Sequence, residues 1–416
     1  MENRIYLDHA ATTPLDPRVL DAMLPYLRDH WGNPSSLYAE AQEARRGLDA
    51  ARRAVAEVLG CRPQEVVFTS GGSESDNLAL RGAAYAGPPQ AGSHIVTTAV
   101  EHHAVLHTAE RLEQEGCRVT YLGVDREGFV DLGELEGAIG DDTVLVSIMY
   151  VNNEVGTVEP IAEAARVIKG KNPHAVFHTD AVQAAGLQDL DVDRLGVDML
   201  SIAAHKFYGP KGAGALYVRG RTPFQPQQLG GSQEKNRRAG TENVAGAVGM
   251  AAALRLAYDE FDARNDLYRR LRDRLLDGVP ERVPGVHLTG PADLPAHPEE
   301  PRGASGGRVA GRLEGRASNN FSCCFEFIEG EAILIALDLA GVAASSGSAC
   351  TTGSLEPSHV LTAMGVPADL ARGSMRLTVG RDNTMQQMDY VLDVLPGIVS
   401  RLRSLSPTWP ERASAG

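Results

Sequence analysis

Lys206 lies just past an apolar run at 197–202, in a turn that carries Gly209, Pro210 and Gly212. A lysine in such a place can lose solvation and drop its pKa, as an imine-forming amine must. The same residue could equally be a surface-loop lysine with its charge in water. A second candidate is the turn Ser70-Gly71-Gly72-Ser73-Glu74-Ser75, which follows a strand-like run at 66–69 and opens a helix-forming stretch. Strand, glycine turn and helix together place free backbone N–H groups and a helix N-terminus around a phosphate. No Gly-Lys-Ser/Thr follows and no Gly-x-Gly-x-x-Gly is present, so neither common nucleotide loop is indicated. A tight turn with a serine cap would read the same way.

An imidazole (His102), an amide (Asn153) and a carboxylate (Asp180) stand after three further apolar runs. Pyridoxal phosphate calls for this set. Its phosphate wants N–H donors, its pyridine nitrogen a carboxylate, its aldehyde a lysine, and its ring a flat partner. Asp180 could instead cap a helix starting at Ala181, and His102 could be a core histidine. Glu101, His102, His103, Asp180 and His205 are metal ligands by type. No His-x-x-x-His pair is expected on a helix, a metal would leave Lys206 and the glycine turn without a task, and no metal is expected. Cys350 sits in a loop of small residues, Ser345-Ser346-Gly347-Ser348-Ala349-Cys350-Thr351-Thr352-Gly353, which can expose a thiol. Cys61, Cys117, Cys323 and Cys324 flank or occupy regular elements, where a small buried thiol is the default.

Short apolar runs at 66–69, 94–98, 118–122, 143–149, 175–179 and 197–202, mostly separated by helical segments, predict a largely parallel sheet with helices on both faces. Ligands bind outside the carboxyl ends of such strands. Ser73, His102, Asn153, Asp180 and Lys206 all fall just past such ends. Helices are predicted from Asp16-Pro17, over 38–59 with Gly60 as the stop, and over 254–276 with Gly278 and Pro280 as the stop. Beyond that come a strand at 320–327, a helix at 331–339, a strand at 376–379, a helix at 385–405 and a loose tail at 407–416. The stretch 291–318, rich in Gly, Pro, Arg and Glu, reads as a surface insertion. At 416 residues two domains are expected, 15–257 as the large one and 1–14 with 258–416 as the small one carrying the cysteine loop.

The net charge of −14 disfavours broad nucleic-acid or anionic-membrane binding, leaving only a local basic patch near Arg237 and Arg238. No signal peptide or membrane-length apolar run is seen, and five scattered cysteines without a Cys-x-x-Cys pair suggest reduced thiols and a cytoplasmic protein.

Several stretches carry a resemblance. They include Tyr6-Leu7-Asp8-His9-Ala10-Ala11-Thr12-Thr13-Pro14, Gly32-Asn33-Pro34-Ser35-Ser36, Glu101-His102-His103-Ala104-Val105 and the runs 69–77, 151–156, 177–183, 204–212, 230–244, 345–360 and 376–381. The chain resembles the long-loop cysteine desulfurases of the class V aminotransferase group, fold-type I pyridoxal phosphate enzymes. That resemblance implies an α/β fold with a mostly parallel seven-stranded sheet plus a smaller α+β domain. It implies conversion of L-cysteine to L-alanine, with sulfur left on the enzyme for an acceptor such as an iron–sulfur scaffold, or for tRNA thiolation. Lys206 is similar to the Schiff-base lysine and Cα proton carrier, and Cys350 to the persulfide-forming nucleophile. His102 matches the imidazole on the ring that also acts on the substrate thiol. Asp180 matches the partner of the pyridine nitrogen, and Gln183 and Asn153 groups near the ring hydroxyl and the substrate. Gly72 belongs to the phosphate cup, with Ser73 and His205 as phosphate contacts. Thr241 matches a phosphate contact from the other subunit of a homodimer, and Arg376 the clamp on the substrate carboxylate. Ala203 stands where the family usually has a serine on the phosphate. A related lyase, such as a selenocysteine lyase, and an idle sulfur carrier of the same fold remain as alternatives.

Overall fold

The computed structural model describes residues 4–86, 93–291, 315–346, 357–407 and 409. Its strands are Ile5–Tyr6 (β1), Val66–Thr69 (β2), His94–Thr98 (β3), Arg118–Leu122 (β4), Thr143–Ser147 (β5), Val176–Asp180 (β6), Met199–Ala203 (β7), Gly214–Val218 (β8), Val286–Leu288 (β9), Asn320–Phe325 (β10), Val342–Ala343 (β11) and Ser374–Thr378 (β12). Seven of them form one sheet in the order β2-β8-β7-β6-β5-β3-β4. The pairs β3–β4, β3–β5, β5–β6 and β6–β7 are parallel, and β8 alone is reversed against β2 and β7. The carboxyl ends of β2, β3, β5, β6 and β7 therefore share one edge.

Alternate residues along these strands enter two separate cores. Val66, Phe68, Val96, Val146, Phe177, Leu200 and Ile202 pack against the helices Ala39–Leu59, Ile161–Lys171 and Val244–Asp259. Val67, Ile95, Leu145, Val176 and Met199 pack with Leu78, Leu80, Val105 and Leu112 from the helices Gly72–Ala84 and His103–Gln114. The period of two thus feeds a helix layer on each face, and near-continuous apolar strands follow from double-sided burial.

A further core gathers the other elements. In the antiparallel sheet β12-β10-β9, Phe321, Cys323, Phe325, Met375 and Leu377 pack with the helices Phe261–Arg282 and Met385–Leu405. Ile5 and Leu7 belong to this core too, because β1 pairs with β11. The N-terminal chain thus starts in the small core and crosses to the large sheet.

Several expectations are corrected. The helix predicted over 254–276 is two helices, Val244–Asp259 and Phe261–Arg282, broken at Glu260. Gly278 and Pro280 lie inside the second one. A Cβ on Gly278 would meet Leu392 Cδ1 at 2.6 Å, so this glycine permits close helix packing rather than a stop. Of the expected insertion at 291–318, residues 292–314 lie outside the described residues, but Arg316, Ala317 and Ser318 are buried. Arg316 donates to the carbonyls of Thr289 and Pro291, and burial beside Arg272 pulls its pKa down to about 9. The tail at 407–416 lies largely outside the described residues, yet Trp409 packs edge-on against Phe327. The basic patch is partly neutralised, since Arg238 Nε pairs with Glu74 at 2.7 Å.

Candidate active site

β7 ends at Ala203 and tightens into a 3₁₀ turn, Ala204–Lys206. Lys206 Nζ donates to the carbonyls of Ala10 at 2.5 Å and Ala11 at 3.0 Å. Gln183 Nε2 donates to the same Ala10 carbonyl at 2.9 Å. His205 Nδ1 meets Thr12 Oγ1 at 3.1 Å, and the His205 carbonyl accepts from both N and Oγ1 of Thr13 at 2.9 Å. The N-terminal segment is therefore laid across the lysine turn. No spacing or periodicity signals this contact.

Asp180 closes β6 and is buried. Its Oδ1 accepts from Val182 N at 2.9 Å, while Oδ2 has no hydrogen bond among the described residues. Burial pushes its pKa up to about 6, against the pull of the Lys206 ammonium. Two residues earlier on the same face, His178 joins Ser147 Oγ through Nδ1 and Ser201 Oγ through Nε2, both at 2.9 Å. Asp76 Oδ1 lies 3.7 Å from the same Nε2, and its carboxyl is held well above the usual range by burial and by the charge of Asp180. Ser201 was considered only as a stand-in for the missing phosphate hydroxyl, and Asp76 and His178 were not singled out from sequence. All three are buried, and they meet through the pairing of β6 with β7 and the packing of the helix Gly72–Ala84 on the sheet.

His102 caps the helix His103–Gln114, its Nδ1 accepting from Ala104 N at 3.1 Å. A ring nitrogen that accepts cannot carry the proton, so the neutral imidazole holds it on Nε2. Burial and the nearby Lys206 charge hold its pKa down at about 4. The expectation that no His-x-x-x-His pair lies on a helix is corrected, because His103-x-x-x-His107 lies on this one. His103 stacks at 4.8 Å from His107 and 4.7 Å from His359. Among the described residues, no group of three or more His, Cys, Asp or Glu converges to hold a metal.

The glycine turn opens the helix Gly72–Ala84. Ser75 N→Gly71 O, 3.1 Å, is its first bond, so the N–H groups of Gly72, Ser73 and Glu74 stand before the ladder begins. Gly71 has φ 156° and ψ −175°, a conformation essentially reserved to glycine. A Cβ on Gly72 would meet Val182 Cγ2 at 2.7 Å and Ala203 Cβ at 3.7 Å, so the turn sits tightly above β7. Glu74 accepts from Ser70 N at 2.7 Å and fixes its shape. Ser73 is exposed and lines, with Asn77 and His102, an open pocket of about 360 Å³.

Arg376, the expected carboxylate clamp, lies on β12. Its Nη1 donates to the Asn153 carbonyl at 2.6 Å and its Nη2 to Asp8 Oδ1 at 2.8 Å. Ser345 pairs backbone to backbone with Arg376, and Ser358 donates to Glu154 while capping the helix His359–Ala363. Both chain segments flanking 347–356 are thereby tied near Arg376 and Asn153. Cys350 itself lies outside the described residues. Thr241 is exposed on this chain and bonds to none of the other candidates among the described residues.

These groups fit pyridoxal phosphate. The helix end offers N–H donors without a ladder partner, Asp180 keeps an uncommitted oxygen, and a primary amine stands on the same sheet edge. Ala203 lies beneath the turn, and the Ser201 hydroxyl is fully buried and engaged with His178 and Asp76 rather than turned to the phosphate turn. Ala203→Ser is expected to slow cofactor loss on dialysis by about tenfold, one hydrogen bond to a charged group being worth about 1.5–3 kcal/mol. An unchanged loss rate would show that the phosphate is already saturated.

The buried imidazoles also fix an acid-side dependence of stability. His178 is held at about 3 by burial alone, whereas an unfolded histidine titrates near 6.5. Below that value the unfolded chain takes a proton that the fold refuses, so stability falls as pH drops from about 6.5 towards 3. His178→Gln is expected to flatten the decline of the urea midpoint between pH 7 and pH 5. The full slope from one such group is about 1.4 kcal/mol per pH unit. An unaltered slope would mean that His178 is protonated in the fold.

The comparisons agree with this geometry. The class-V aminotransferase profile matches residues 5–299. A cysteine desulfurase IscS of Clostridium botulinum strain Hall is 46% identical over 411 residues, covering 99% of this chain and 98% of that protein. The IscS of Dictyoglomus turgidum is 48% identical over 407 residues, covering 98% and 97%. Among solved structures, a NifS-like protein superposes with a TM-score of 0.86 at 37% identity, covering 96% of this chain and all (100%) of the other. The chain belongs to the class-V aminotransferase family. Within it the chain falls among the cysteine desulfurases, which depend on pyridoxal phosphate. The related-lyase alternative is not favoured by these relatives.

Proposed function

We propose that this chain takes L-cysteine to L-alanine and holds the released sulfur on Cys350 as a persulfide, from which an acceptor protein such as an iron–sulfur scaffold collects it. What carries the reading is the convergence of Lys206, Asp180, His102 and the glycine turn on one sheet edge. The overall step balances without an outside oxidant: cysteine and the Cys350 thiol give alanine and the Cys350 persulfide. Bound pyridoxal phosphate would supply the carbonyl that condenses with amines and the electron sink for the Cα charge.

The chain's own residues divide the remaining work. Lys206 Nζ would move the Cα proton. Asp180 would hold the protonated ring nitrogen, and Gln183 and Asn153 would border the ring hydroxyl and the substrate. The N–H groups at Gly72 and Ser73, with His205, would hold the phosphate. His102, a neutral imidazole that carries its proton on Nε2, would lie on the ring and act on the substrate thiol. Arg376 binds the substrate carboxylate.

Cys350 is favoured as nucleophile by the state of the other thiols. Burial drives Cys61 and Cys324 up to about 12, raises Cys117, and holds Cys323 well above its ordinary value. None of these four is a thiolate at neutral pH, and the thiolate is the attacking species.

We further propose a division into a large domain, 15–257, and a small one, 1–14 with 258–416. A homodimer would bring Thr241 of one copy to the phosphate of the other. A cytoplasmic location is proposed on the reduced thiols; among the described residues no helix is long and apolar enough to cross a membrane. The purified protein should show an absorbance band from bound cofactor and release alanine from L-cysteine. A cofactor-bound protein that releases none would be an idle carrier.

A further inference from the structure

Arg376 is held through two of its three nitrogens, and the third is buried without a partner among the described residues. Its side chain is 3% exposed. The Asn153 carbonyl occupies Nη1 and Asp8 Oδ1 occupies Nη2, but the buried Nε–H has no partner among the described residues. Burying such a donor unmet is costly. The guanidinium is a rigid plane with five N–H donors, and Nε–H with the adjacent Nη2–H forms one side-on fork of the width of a carboxylate. With Nη1 and Nη2 each pinned, that fork is the one containing the unmet donor.

Asp8 is itself fixed with respect to Arg376. It follows β1 and bridges Thr378, two residues beyond the arginine on β12. Thr378 N donates to Leu7 O at 2.8 Å, Ala10 N donates to Thr378 Oγ1 at 2.9 Å, and the Asp8 carbonyl accepts from Tyr6 OH at 3.0 Å. The only hydrogen bond its carboxylate accepts among the described residues comes from Arg376.

We propose that Asp8 is a positioning residue of the substrate site, which sets the plane of the Arg376 guanidinium so that its Nε-side fork faces the α-carboxylate of L-cysteine. The proposal rests on Arg376 being the carboxylate clamp. It differs in sign from a plain charge effect. Removing a negative charge beside the clamp would by itself tighten carboxylate binding, whereas releasing the guanidinium from its plane weakens it.

Steady-state kinetics of the holoenzyme decide between them. Asp8→Ala is expected to raise KM for L-cysteine about tenfold, the worth of one charge-assisted hydrogen bond, with a much smaller change in kcat. Asp8→Asn keeps an acceptor oxygen at the same place and should rescue part of the loss, leaving KM about threefold above the parent. Spectral titration with cysteamine, which lacks the carboxylate, should give the parent affinity in both variants. A KM at or below the parent value in Asp8→Asn, or an equal loss for cysteamine, overturns the proposal. The asparagine variant decides the sign even if the alanine variant fails to fold. Arg376→Met serves as the control: if it leaves KM for L-cysteine unchanged, the clamp reading itself is wrong. If it raises KM while Asp8→Ala does not, only the role of Asp8 is lost.

Discussion

Cys350→Ala is expected to bind cofactor and to change its absorbance on adding L-cysteine as the parent does, yet to lose catalytic alanine release by roughly 10³-fold or more. The early spectral response would need bound cofactor and the Lys206 amine but no acceptor of sulfur, so it is expected to survive. What disappears is the acceptor of the sulfur atom. Cys323 and Cys324 are fully buried on β10, and burial keeps both as thiols, so neither can substitute. Cys350→Ser should behave in the same way, because a hydroxyl is a far weaker nucleophile than a thiolate near neutral pH. Two measurements settle the matter: the spectrum after mixing with L-cysteine, and the mass of the protein after turnover. A variant that releases alanine at the parent rate and carries the extra sulfur on Cys323 or Cys324 would transfer the nucleophile role to β10.

Lys206→Ala is expected to lose turnover by roughly 10²–10⁴-fold, the range spanned by a positioned proton-transfer group. Unlike the cysteine variant, it should also lose the covalent link to the cofactor. Borohydride reduction of the parent enzyme followed by peptide mapping should place the pyridoxyl tag on Lys206. Lys211 and Lys235 are the nearby competitors by sequence, but both are exposed, and a tag on either would sink the assignment. The contacts that hold Lys206 explain why a conservative change would not rescue it. The Ala10 and Ala11 carbonyls grip a small ammonium at 2.5 and 3.0 Å, and the wider plane of an arginine does not fit that grip.

The parts of this site that were legible in the sequence are those announced by local chemistry. The runs at 66–69, 94–98 and 118–122 became strands with the expected bounds, because double-sided burial selects uninterrupted apolar residues. Polar residues just past such runs were thereby placed on the binding edge without any tertiary information. What stayed hidden depends on pairings between distant segments. Asp8 looks like an ordinary acid after a short strand until β1 is seen beside β11 and β12. Asp76, His178 and Ser201 come from three elements and meet only behind Asp180. The composition of 291–318 suggested a loop throughout, whereas Arg316 is buried at its end. A single long side chain satisfied by carbonyls leaves no trace in periodicity.

The course of the N-terminal segment has a consequence for how the enzyme is made. Residues 8–11, made long before β12, carry the carbonyls that grip Lys206 and the carboxylate paired with Arg376. Asp8 and Arg376 are 368 positions apart, and β1 finds its partner only in β11. All seven strands of the large sheet have emerged once β8 has, and the helix Val244–Asp259 that covers one face follows soon after, so this part can fold during synthesis. Lys206 then waits, its turn uncovered, until β11 and β12 have emerged and have drawn the N-terminal strand into place. Such distant closure is slow relative to local folding. Lasting capture of the cofactor is therefore expected to wait for β11 and β12, and a nascent chain arrested before β12 has emerged should exchange its pyridoxal phosphate freely.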